Sequence, residues 1–184
     1  MSAPRSLVVL IGNPVKDSRT RAAAIRSGEL LQAALGTAGL PVEPPAVVDL
    51  AGLGPGLLLA EDEPTAVALK TVERADLVLM ATPTFKGTYT GLLKVFIDLL
   101  PRGGLTGAVV VPLMTAGRVS HRTAVDTTLR PVLLELGARV PTPGISVLEA
   151  ELGRLEEVFN SWWRQHGAVT GAVLAAPQAG EERC

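Results

Sequence analysis

The chain has almost nothing with which to cross-link itself. Its one cysteine, Cys184, is the last of 184 residues. An internal disulfide framework is therefore excluded, and a reducing compartment, the cytoplasm, is expected. Aromatic residues make up only 3% of the chain while hydrophobic residues reach 47%. A core of Leu, Val and Ala follows, the composition of parallel strands buried on both faces. Neither sign of charge dominates: 17 Lys and Arg stand against 18 Asp and Glu, a formal charge of −1. That balance offers no basic field for nucleic acid and no strongly acidic surface of the kind an electron carrier presents. No segment approaches the roughly 18 apolar residues of a membrane helix. The apolar run Leu7–Ile11 is also too short for the core of a signal peptide. Missing as well are a Cys/His cluster for a metal, a G-x-S-x-G nucleophile elbow, a G-x-G-x-x-G dinucleotide fingerprint and a Walker loop.

What is present is an alternation. Five short apolar runs, Leu7–Ile11, Ala46–Leu50, Leu77–Ala81, Ala108–Leu113 and Gly144–Leu148, are separated by helical patterns, which predicts βα units and a parallel sheet in one domain. The first helix is expected from Arg19 to Ala38, stopped by Gly39 and Pro41. A second is expected from Pro64 to Ala75, and a third from Gly91 to Leu100. Ser120–Leu136 reads as a helix that Pro131 must kink or divide, and Leu152–Gln165 as the last helix. Ala51–Asp62 reads as a mobile Gly-rich connection, with a lid or subunit contact as the alternative. Residues 1–166 would form the domain and residues 167–184 a loose tail.

Three loops follow predicted strands, and ligands of open α/β sheets gather at the carboxyl ends of strands. After the first strand come Gly12-Asn13-Pro14-Val15-Lys16-Asp17-Ser18-Arg19-Thr20. Hydroxyls, free N–H groups and the dipole of a helix start suit a single phosphate there, although Ser18 serves equally well as a helix cap. After the third strand come Pro83, Thr84, Phe85, Lys86 and Gly87, then Tyr89 and Gly91. Phe85 and Tyr89 offer flat apolar surface to a planar ligand, and the backbone N–H groups offer donors to its edge. After the fourth strand come Thr115, Ala116 and Gly117. His121, a lone histidine, is given no catalytic role.

The wording of these loops resembles the NADPH-dependent FMN reductases, a flavodoxin-like family, and in particular the flavin reductases of sulfonate monooxygenase systems. Gly12 and Ser18 match the family's G-S-x-R-x-x-S phosphate loop, and Pro83 to Gly87 match its P-x-Y-x-x flavin loop with Phe85 for the common Tyr. Thr115-Ala116-Gly117 resembles its T-G-G turn, with Ala116 replacing one glycine. The resemblance implies a three-layer sandwich with strand order 2-1-3-4-5. It also implies FMN and NADPH or NADH as cofactors, with Gly12, Asn13, Pro14, Ser18, Arg19, Thr20, Pro83, Thr84, Phe85, Lys86, Gly87, Thr115, Ala116 and Gly117 around the flavin. Electrons would leave to a partner FMN-dependent monooxygenase or to a quinone, azo compound or metal ion; a non-enzymatic electron carrier is the rival. Relatives of the sulfonate type often carry an aromatic or His after a Val-Asp pair, at an irregular helix turn, where this chain has Thr127. Finally, seven of the nine residues from Leu92 to Leu100 are apolar, more than one buried stripe needs, so a homodimer or homotetramer through this helix is expected.

Overall fold

The computed structural model describes residues 3–59 and 61–176. Five parallel strands, β1 (Leu7–Ile11), β2 (Ala46–Asp49), β3 (Leu77–Pro83), β4 (Val109–Ala116) and β5 (Ile145–Leu148), form one sheet in the order β2-β1-β3-β4-β5. This is the expected flavodoxin-like topology. Every residue of β1, β3 and β4 is buried, as continuous apolar strands require when helices cover both faces. The period of two sorts their side chains between two cores. Val8, Leu10, Val78, Met80 and Val110 face one core; Leu7, Val9, Leu77, Leu79, Val109 and Val111 face the other.

Helices α1 (Arg19–Thr37) and α6 (Leu155–Ala175) cover the second core with Ala23, Ala24, Leu31, Leu35, Phe159, Trp162 and Leu174. Between α1 and the later helices lie α2 (Leu50–Leu53), α3 (Glu63–Glu73), α4 (Gly91–Leu99) and α5 (Arg130–Glu135). They close the first core, with Leu50, Val72, Leu93, Phe96, Ile97 and Leu133 among its members.

Two expectations change and a third is met. The loose tail does not begin at Gly167, because α6 continues to Ala175 with Gly167, Thr170, Gly171 and Leu174 buried. These positions keep the helical spacing, but glycine and threonine fill most of them, so hydropathy misses the stripe. Small residues are needed there: a Cβ on Gly171 would stand 3.1 Å from Leu40 Cδ1. The rest of the expected tail, with Cys184, lies outside the described residues. The Ala51–Asp62 connection is built rather than loose, since α2 leads into a 3-10 segment, Gly54–Leu58. Asp49 Oδ1 accepts the Ala51 N–H at 3.1 Å, and Asp62 Oδ2 accepts the Thr65 N–H at 2.9 Å. The single Ser120–Leu136 helix is indeed divided: a 3-10 turn at Val119–His121, a π turn at Val125–Leu129, then α5. Pro131 has no N–H and its ring crowds the preceding turn, and the wider π turn relieves both.

Two glycines of α1 should respond oppositely to alanine. A Cβ on Gly28 would lie 2.5 Å from Val9 Cγ2, whereas one on Gly36 would meet nothing within 4 Å. Urea unfolding should show Gly28→Ala destabilised by about 1–3 kcal/mol through overpacking. It should show Gly36→Ala stabilised by about 0.4–1 kcal/mol. Equal effects at the two positions would refute the α1–β1 packing.

Candidate functional site

The loops after β1, β3 and β4 meet at the carboxyl edge of the sheet, and Gly12 is where they are joined. Its N–H donates to the Ala81 carbonyl at 2.8 Å. Its own carbonyl accepts from Thr90 Oγ1 at 2.5 Å and from Thr82 Oγ1 at 3.3 Å. A Cβ here would come within 2.6 Å of Leu93 Cβ, so only glycine lets the first loop lie against α4. Thr90 also caps α4, its hydroxyl accepting the Leu93 N–H at 3.1 Å. Sequence reasoning missed Thr82 and Thr90. A threonine directly before Gly91, three residues ahead of Leu93, was the available capping signal.

Beyond Gly12 the backbone consumes most of the first loop's polar side chains. Asn13, buried, accepts the Val15 N–H at 2.9 Å, and Ser18 accepts the Arg21 N–H at 3.1 Å as the cap of α1. Pro14 is exposed on the same turn. The N–H groups of Arg19 and Thr20, in the first turn of α1, have no acceptor among the described residues. Thr20, buried, pairs its hydroxyl with that of Thr115 at 2.7 Å, linking the first loop to the end of β4. Either oxygen can be the donor, so the pair keeps one hydroxyl proton to give away.

The second loop is a tight reversal. Phe85 and Thr88 exchange backbone bonds of 2.8 and 3.2 Å around Lys86 at φ 54° and Gly87 at φ 84°. Two successive positive φ values define a type I′ turn, with Gly87 at the position that suits glycine best. The expectation that the whole Pro83–Gly87 backbone donates to a ligand is corrected. Pro83 has no N–H, that of Thr84 goes to the Thr115 carbonyl at 2.7 Å, and that of Phe85 stays in the turn. The N–H groups of Lys86 and Gly87 are the ones left without an acceptor among the described residues. The buried Thr84 Oγ1 also lacks a partner. Phe85 presents an exposed ring, while Tyr89 packs against the core beside α4. In the third loop Thr115 and Ala116 belong to β4 and Gly117 follows it. Ala116 has no positive φ, so its replacement of a family glycine brings no strain.

Around the head of α1 the two arginines are already matched. Arg19 Nη2 lies 2.8 Å from Glu149 Oε2, and Arg21 Nε lies 3.0 Å from Asp49 Oδ2. Glu149 opens a 3-10 segment, Glu149–Arg154, that Glu151 holds in place. The Glu151 carboxylate accepts the Leu148 N–H at 2.9 Å and pairs with the Arg122 guanidinium. The Leu148 N–H, and after it Arg122, hold its pKa below the usual carboxylate range. A hollow of about 580 Å³ between α1 and the start of α6 has Arg19 in its lining, and one of about 440 Å³ lies between α4 and α5.

A parallel sheet with hydroxyl-rich and glycine-bearing loops at its carboxyl edge, free N–H groups at a helix head and an exposed ring beside them defines a flavodoxin-like, mononucleotide-binding protein. The sequence model of the NADPH-dependent FMN reductases matches residues 5–151, and the chain belongs to that family. It is 31% identical to an FMN reductase (NADPH) of Pseudomonas aeruginosa over 82% of this chain and 81% of that protein. It is also 31% identical to an NADH-dependent FMN reductase of Pseudomonas putida, over 83% and 81%. An FMN reductase (NADPH) of Escherichia coli is 46% identical, but the match spans 42% of this chain and 43% of that protein. Among solved structures, an oxidoreductase of Corynebacterium diphtheriae superposes with a TM-score of 0.84 at 28% identity, covering 96% of this chain and all of that one.

Two outcomes follow from this geometry. Thr90→Val removes the Gly12 and Leu93 bonds together and should cost about 1–3 kcal/mol in urea unfolding; an unchanged midpoint would refute the Thr90–Gly12 link. For Glu151 the folded pKa is lowered, so its contribution to stability is present above the ordinary carboxylate value near 4.5 and is lost as pH falls through the folded value. Wild type should therefore exceed Glu151→Gln in melting temperature at neutral pH, with the gap closing below pH 4.5. A gap independent of pH would contradict this.

Proposed function

We propose that this protein is a cytoplasmic NAD(P)H-dependent FMN reductase. The observation that carries the reading is a set of donors at one sheet edge that have no acceptor among the described residues: Arg19 and Thr20 N–H at the head of α1, Lys86 and Gly87 N–H in the turn. In this family, two donor groups on neighbouring loops suit a ligand with a phosphate at one end and a polar ring edge at the other. FMN supplies the redox chemistry when bound, accepting hydride from the nicotinamide of NADPH or NADH. The chain's residues would supply placement. The N–H groups at the head of α1 and the Thr20–Thr115 hydroxyl pair would hold the phosphate, with the helix dipole favouring its charge. Lys86 and Gly87 N–H would donate to the ring edge, the unpaired Thr84 hydroxyl lies on the same loop, and the Phe85 ring would pack against the bound ligands. A single phosphate cradle fits FMN and leaves FAD without a partner for its second phosphate. Reduced FMN would go to a partner FMN-dependent monooxygenase.

We further propose a homo-oligomer through α4, with its contact residues revised. Phe96, Ile97 and Leu100 are buried in the core and unavailable. The outward residues are the half-buried Leu92 and Val95 and the exposed Leu99, a stripe at helical spacing. Lys94 and Asp98 pair within the chain, with Nζ 2.7 Å from Oδ2.

Steady-state oxidation of NADPH or NADH with added FMN tests the activity; binding of flavin without turnover would instead make this chain a carrier. Thr20→Val should weaken FMN about ten- to a hundredfold, as loss of a hydrogen bond to a charged group does, and leave riboflavin nearly unchanged. Equal loss for both flavins would place Thr20 away from the phosphate.

A further inference from the structure

We infer that Glu149 and Arg19 form an exchangeable latch across the phosphate end of the site, in which Glu149 competes with the ligand's phosphate for Arg19 and so sets how loosely FMN is held. The inference rests on the FMN reading above.

Both arginines at the head of α1 already face a carboxylate, Arg19 with Glu149 and Arg21 with Asp49. Either guanidinium can serve an arriving phosphate dianion only by leaving its carboxylate.

The two ion pairs differ in how readily they part. Arg21 and Asp49 are 36% and 23% exposed, and Asp49 is fixed by its bond to the Ala51 N–H. Arg19 and Glu149 are 70% and 50% exposed, and neither side chain has another bond among the described residues. An exposed pair of this kind is worth about 0–1 kcal/mol, so Arg19 can be drawn off at little cost. Arg21 is structural and Arg19 is the mobile cation.

Glu149 is also well placed to oppose a phosphate once Arg19 has moved. It begins a 3-10 segment anchored by Glu151, and a Cβ on Gly117 would lie 3.9 Å from its Oε1. The carboxylate thus stands between the head of α1 and the loop after β4, on the same side as the Thr20–Thr115 pair. It lies near the end of the matched region and outside the loop motifs, where no sequence pattern signals it. Its effect is selective by charge: it penalises a phosphate monoester and leaves the ring and ribityl chain untouched.

Fluorescence-quenching titrations with FMN and riboflavin, on wild type, Glu149→Gln, Arg19→Met and the double variant, test the latch. Riboflavin binding also reports that each variant is folded. Glu149→Gln should tighten FMN about two- to fivefold, the worth of an exposed ion pair, and change riboflavin by less than that. Arg19→Met should weaken FMN selectively, and in that background Glu149→Gln should tighten FMN by less than it does in wild type, because no guanidinium is left to compete for. The latch is overturned if Glu149→Gln leaves FMN affinity unchanged or weaker, if both flavins shift alike, or if the two substitutions are additive. A wild type that binds riboflavin and FMN equally also overturns it, while one that binds neither overturns the FMN reading itself.

Discussion

The carbonyl and N–H of Gly12 tie together the parts that make the site. One peptide group bonds β3 through Ala81, and the neighbouring carbonyl collects two threonine hydroxyls, Thr82 from the end of β3 and Thr90 from the cap of α4. Buried polar groups are costly when unpaired, so this cluster is stable only when all its members are in place. The first loop, the turn carrying Phe85 and the start of α4 are consequently positioned as one unit. The close approach of Gly12 to Leu93 makes the unit steric as well as hydrogen-bonded.

Downstream of that joint, the site divides its polar groups between structure and ligand. Asn13, Ser18 and the Thr84 N–H are consumed in shaping the loops. What remains is mostly backbone: N–H groups at a helix head and in a type I′ turn, which keep their direction because the φ values at Lys86 and Gly87 are fixed. Donors held by the main chain lose little entropy on binding, and their spacing changes only if the loop itself rearranges. Flavin chemistry asks the protein chiefly for such placement.

Much of this was legible in the sequence because the relevant periods are strong. Continuous apolar runs marked the buried strands, and the Gly12–Thr20 and Thr82–Gly91 stretches marked the loops that the topology brings together. Failures occurred where the physics leaves no apolar signal. Gly167, Thr170 and Gly171 are buried because they are small, and a search for large apolar residues passes over them. In α4 the surplus of apolar residues was visible, but which of them face the core depends on helix phase; Phe96 turned inward and Leu99 outward. The allocation of N–H groups in the Pro83–Gly87 loop depends on the Thr115 carbonyl, a contact far away in sequence.

The partnering of Arg19 with Glu149 belongs to the same class of hidden information, with a larger consequence. Read along the chain, Ser18-Arg19-Thr20 is a cationic, hydroxyl-bearing loop made for an anion. In the folded protein the serine caps a helix, the threonine bonds Thr115 and the arginine faces a carboxylate contributed from 130 residues away. The proposed anion site is therefore preorganised in its backbone, and its two arginines are already paired with carboxylates. Preorganised N–H groups favour the correct orientation of a phosphate, while a competing carboxylate limits the net Coulomb gain on binding it. Orientation and affinity are thus set by different atoms. A site built this way can place a flavin accurately without holding it tightly, which suits the release of reduced FMN proposed above.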